Sequence, residues 1–97
     1  MKTATFIKKL DNFSGDARLY RLSEPVNYWG DDYPFVNTNF VVVSAVVGPF
    51  SGAETFIFPS DEHGKVLDCR ELDGSYWGGL DHEKALKNAG YSISKGE

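Results

Sequence analysis

The stretch FVVVSAVV, Phe40 to Val47, decides the fold. Its alternate residues form two sets, Phe40, Val42, Ser44 and Val46 on one side and Val41, Val43, Ala45 and Val47 on the other, and both sets are almost wholly apolar. A strand with one wet face alternates in polarity, so a run that is apolar on both sides belongs inside a sheet with cover on each face. The run is also the longest apolar stretch of the chain, and it falls far short of the roughly 20 residues a membrane-crossing helix needs.

Downstream, GPFSG (Gly48 to Gly52) supplies turn formers that join antiparallel neighbours. AETFIFP then reads as a second strand, with Glu54, Phe56 and Phe58 on one face and Thr55 and Ile57 on the other. Asp61-Glu62-His63-Gly64 has the composition of a tight turn that closes on a glycine at positive φ, and KVLDC (Lys65 to Cys69) reads as a short return strand. RELDGSYWGG carries no usable period and reads as an irregular connection that Leu72, Tyr76 and Trp77 hold to the core.

Upstream, TATFIKKL (Thr3 to Leu10) and ARLYRLS (Ala17 to Ser23) flank the turn-rich DNFSGD and form a hairpin. In the second of these Arg18, Tyr20 and Leu22 share one face and Ala17, Leu19 and Arg21 the other, so neither face is purely apolar.

Near the C-terminus SYWGGLDHEKAL contains an Asp-His-Glu cluster, Asp81 to Glu83. A zincin motif needs a second histidine four residues after the first, and Leu86 stands there. Three adjacent residues at a helix start diverge, so they do not meet on one substrate atom. The chemistry that fits is capping: Asp81 can accept from the first-turn amides, Glu83 near the start and Lys84 and Lys87 later follow the helix dipole, and Gly90 falls at C′. That spacing predicts a helix over 82–89, with Leu86 and Tyr91 as the apolar pair of a Schellman ending. YSI (Tyr91 to Ile93) alternates and reads as a last edge strand, and residues 94–97 as a disordered tail or a tag remnant.

The fold class these elements specify is α+β: an antiparallel sheet of about five strands, FVVVSAVV central, with one short C-terminal helix packed on one face. At 97 residues the chain has material for one core and a single domain, 1–97. The lone Cys69 forms no internal disulfide, and Lys8 and Lys9 interrupt any signal-peptide apolar segment, so a soluble cytoplasmic protein is expected.

Charge is unevenly distributed: residues 1–22 carry a net +3, residues 23–83 a net −9 and the remainder +2. A long acidic middle repels phosphate backbones, which argues against direct nucleic-acid binding, and no phosphate-binding loop is present. Neither a membrane nor a cofactor or resident metal is expected. His63, His82, Cys69 and nearby carboxylates could form a composite metal or hydrolytic site only by tertiary convergence, and the carboxylates of residues 54–83 could imitate nucleic acid only if they lie in rows on one face.

The segment EPVNYWGDDYPFVNTN, Glu24 to Asn39, reads as a long loop that concentrates Tyr28, Trp29, Tyr33 and Phe35 around Asp31 and Asp32. Long loops are usually functional or disordered, and aromatics argue against disorder. Aromatic anchors with acidic neighbours suit a basic protein partner, so Tyr28, Trp29, Asp31, Asp32, Tyr33 and Phe35 form the candidate binding set of a non-enzymatic regulator or inhibitor. An exposed edge strand also leaves homodimerisation open.

YRLSEP, VVVSAVV, ETFIFPSDEHGKVLD, ELDGSYWGGLDHEKAL and AGY together resemble a family of small proteins found in actinobacteria and their phages, over residues 3–93. The resemblance implies a single cytoplasmic domain and no catalytic residues, since no activity is assigned to that family.

Overall fold

The computed structural model describes residues 2–11, 15–28, 35–48, 52–67, 72 and 74–94. Six strands and one helix follow one another as β1 (Thr3–Leu10), β2 (Asp16–Tyr28), β3 (Val36–Gly48), β4 (Gly52–Ser60), β5 (Tyr76–Trp77), α1 (His82–Asn88) and β6 (Ser92–Ser94). They form one sheet in the order β5-β4-β3-β2-β1-β6. The first four strands make an antiparallel meander, while β6 pairs in parallel with β1, Thr3 opposite Ser92 and Thr5 opposite Ser94. The sheet is therefore mixed and six-stranded, not antiparallel and five-stranded. The reason lies in α1, which receives the chain from β5 at one edge and delivers it to β1 at the other.

FVVVSAVV is interior from Val41 to Ala45, as its pattern requires, but Val47 at its end, beyond the last β2 partner, is 68% exposed. Val41 and Val43 pack on the helix side with Ala4, Tyr20, Leu22, Ile57, Ala85 and Leu86, and Val42 packs on the far side with Leu10, Ala17 and Leu19. Among the described residues the far side has no helix, and the segment after β4 covers part of it: Val66 packs onto this cluster, and a Cβ on Gly64 would stand 2.9 Å from Leu10. Gly64 has φ +90, so the Asp61 turn closes on glycine for two reasons, conformation and proximity. The Asp61 carboxylate accepts from the amides of His63 and Lys65 at 2.8 and 2.9 Å and organises this turn.

Two sequence expectations change beyond it. Of the return strand the described residues, Lys65 to Leu67, show one bridge, Ser60 to Val66, and Asp68 and Cys69 lie outside the described residues. The segment read as irregular contributes β5, whose two residues pair with Glu54 and Thr55 and are too few to show a period.

The helix is capped as expected. Asp81 accepts from the Lys84 amide at 3.1 Å, and the Gly90 and Tyr91 amides donate to the Lys87 and Leu86 carbonyls at 3.0 Å, with Gly90 at φ +95. The helical segment ends at Asn88, with Ala89 as C-cap. Ser94, expected in the tail, is the last residue of β6 because β1 offers it a backbone partner.

Candidate functional site

Glu24 to Asn39 is not a long loop. β2 continues to Tyr28 and β3 begins at Val36, and the two pair as Val26 with Thr38, Asn27 with Asn37 and Tyr28 with Val36. The interruption that makes the sequence read as loop is real but local: between Arg21 and Val26 the register shifts, leaving Leu22 to Pro25 opposite Asn39 alone. The Asn39 side-chain amide donates to the Leu22 carbonyl at 3.1 Å within this bulge. Ser23 Oγ accepts from the Thr3 amide at 2.8 Å, and Thr38 Oγ1 donates to the Ser60 carbonyl at 2.6 Å.

Among the described residues β1 pairs with β2 only as far as Leu22, and β4 pairs with β3 only as far as Phe40. Beyond those positions β2 and β3 pair with each other alone and make a two-stranded arm. Val26, at the base of the arm, packs on the helix-side core, and Val36, in the outermost described pair with Tyr28, is also buried, so the arm lies anchored along its described length. Phe35, at the start of its returning strand, is 48% exposed. Trp29, Asp31, Asp32 and Tyr33 of the candidate set lie outside the described residues, and Tyr28 is the last residue of β2.

The candidate histidines sit in different settings. His63 is exposed in the turn after β4, and His82 is buried at the start of α1. His82 Nε2 donates to the Asp16 carbonyl at 2.8 Å, since a carbonyl can only accept, and this bond ties the helix start to the beginning of β2. Among the described residues no three His, Cys, Asp or Glu side chains gather to hold a metal. Among the described residues the carboxylates between 54 and 83 form no single row: Glu54 faces away from Thr55, which bonds the Gly79 carbonyl before α1, while Asp81 and Glu83 lie on the helix segment, and Asp68, Glu71 and Asp73 lie outside the described residues.

The sequence reading missed a second feature, a groove of about 230 Å³ lined by Phe6, Arg18, Tyr20, Glu83, Ile93 and Ser94. A helix of seven residues is only about 10 Å long, too short to cover the whole of one sheet face, and the gap beside it is this groove. Arg18 donates from Nη2 to Asp16 Oδ2 at 3.0 Å and from Nε to Oδ1 at 3.4 Å. These bonds hold the Asp16 carboxyl below the usual carboxylate range and the Arg18 guanidinium above its ordinary value. Burial raises the pKa of the Tyr20 phenol, and the charges of Glu83 and Asp16 add to that effect. The one sequence signal for this groove was Arg18 sharing a strand face with Tyr20 and Leu22.

Comparison of the chain with protein-family models, curated proteins and solved structures finds no match. No helix among the described residues is long and apolar enough to cross a membrane.

Proposed function

We propose that the protein is a non-enzymatic interaction module that recognises a basic protein partner through the β2–β3 arm. The observation that carries this reading is the arm itself: two strands continue past both of their neighbours, are fixed at the base by side-chain bonds, and present a half-exposed Phe35. Val26 and Val36 hold the ribbon in place, and a pre-ordered ribbon lowers the entropy cost of binding through its end. The sequence between its strands adds Trp29, Asp31, Asp32 and Tyr33, aromatic anchors and acidic charge of the kind that selects a basic surface. A cytoplasmic location belongs to the same reading.

The test is affinity capture from host lysate with the wild-type chain and a Trp29→Ala, Tyr33→Ala variant first shown to be folded by circular dichroism. A basic protein retained by the wild type, lost by the variant and released by moderate salt is the expected result. Capture of nothing, or equal capture by both, ends the reading. Unfolding of the variant assigns these aromatics to the core instead.

A further inference from the structure

The groove beside α1 plays no part in contact through the arm. Its volume of about 230 Å³ is about eight times the ~30 Å³ share of one water in the liquid. It lies below the range of about 300–1,000 Å³ usual for drug-sized ligands, so an occupant is of amino-acid size.

The walls divide by chemistry. Phe6, 49% exposed, stands edge-on to Tyr20 with ring centroids 5.8 Å apart and an interplanar angle of 71°, and Ile93 completes the apolar side. Arg18 comes from β2 and Glu83 from the first turn of α1. Asp16 takes two of the five guanidinium N–H donors and fixes the plane of Arg18. Lys9, cross-strand from Arg18, and Asp16 add one charge of each sign, so the surroundings stay balanced.

An anion alone would meet Glu83, and a cation alone would meet Arg18. A molecule carrying both charges satisfies both walls. We infer that the groove binds a zwitterionic amino acid with an apolar side chain, its carboxylate on Arg18, its ammonium on Glu83 and its side chain against Phe6, Tyr20 and Ile93.

Nuclear magnetic resonance titration of the ¹⁵N-labelled full chain tests this, using L-phenylalanine, 3-phenylpropanoate, which lacks the ammonium, and phenethylamine, which lacks the carboxylate. The expected result is saturable amide shifts around Phe6, Arg18, Tyr20, Glu83 and Ile93 with L-phenylalanine, and binding about tenfold weaker for each analogue, the usual worth of a hydrogen bond to a charged group. Glu83→Gln, an exposed substitution, should erase the preference over 3-phenylpropanoate. No saturable shift, shifts centred elsewhere, equal binding of the three compounds, or a preference unchanged in Glu83→Gln overturns the proposal. The Trp29→Ala, Tyr33→Ala variant should titrate like the wild type, which separates this site from the arm.

Discussion

The same two strands behave differently at their two ends. From Ala17 to Arg21, β2 lies between β1 and β3, and from Phe40 to Ala45, β3 lies between β2 and β4, so each of these stretches has a partner on both edges. Past Leu22 and Phe40 the pair continues as an arm with no flanking strand among the described residues. Ala17, Leu19, Tyr20, Val41, Val42 and Val43 are almost completely inaccessible in the body, whereas in the arm Asn27, Phe35 and Asn37 are exposed and Val36 alone of the returning strand's start is buried. Stability and contact surface are thus assigned to opposite ends of one hairpin, and substitutions at the two ends should separate them.

The largest effect belongs to the body. Leu19 is fully buried on the far face beside Leu10, Ala17 and Val42. Leu19→Ala should cost about 2–5 kcal/mol, the range for removing a buried leucine side chain. Chemical denaturation should show the midpoint falling without a change of slope. A loss comparable to a surface substitution would mean that the far face is not a core.

The junction between body and arm comes next. Asn39 bridges the β2 bulge by donating to the Leu22 carbonyl. Asn39→Ala should cost about 1 kcal/mol, and hydrogen exchange should quicken at Val26 and Asn27 while Leu19 and Val42 keep their protection. Uniform acceleration of body and arm would show that the two ends open as one unit.

How much of this was legible follows from how local each determinant is. FVVVSAVV needs only its own residues to be read as an interior strand, and Asp81 and Gly90 bound the helix from within one short segment. The arm hid behind Ser23, Glu24 and Pro25, which signal a loop to any local rule, although a bulge accommodates them and pairing resumes at Val26. β5 has no period to detect, and the parallel docking of β6 depends on where α1 delivers the chain. The groove draws on β1, β2, α1 and β6, so its residues converge only after folding and leave no motif.

A smaller effect concerns acid at the body's far end. Asp16 has a carboxyl pKa lowered chiefly by its hydrogen bonds from Arg18, so its contribution is present above the unfolded carboxylate value of about 3.9 and is lost as pH falls through the lower folded value. Both side chains are more than a third exposed, which makes the contribution small and sensitive to salt. Asp16→Asn should flatten the stability profile below about pH 4 and leave the arm's hydrogen exchange untouched. An unchanged acid profile would show that the pair contributes nothing measurable.

The smallest expected effect is the sharpest test of the division between the ends. Phe35 is a large aromatic at the start of the arm's returning strand, yet about half of it faces solvent. Were it a core residue, its loss to alanine would cost about 3–5 kcal/mol. As a residue of the contact end, Phe35→Ala should change stability by no more than about 0.5 kcal/mol, a melting shift of about 2–4 °C for a chain of this size. Differential scanning calorimetry of the variant beside Leu19→Ala resolves the two cases, because their predicted losses differ several-fold. A small loss joined to weakened partner capture would place the aromatic surface of the hairpin in recognition, and a large loss would extend the buried part of the arm from Val36 to Phe35.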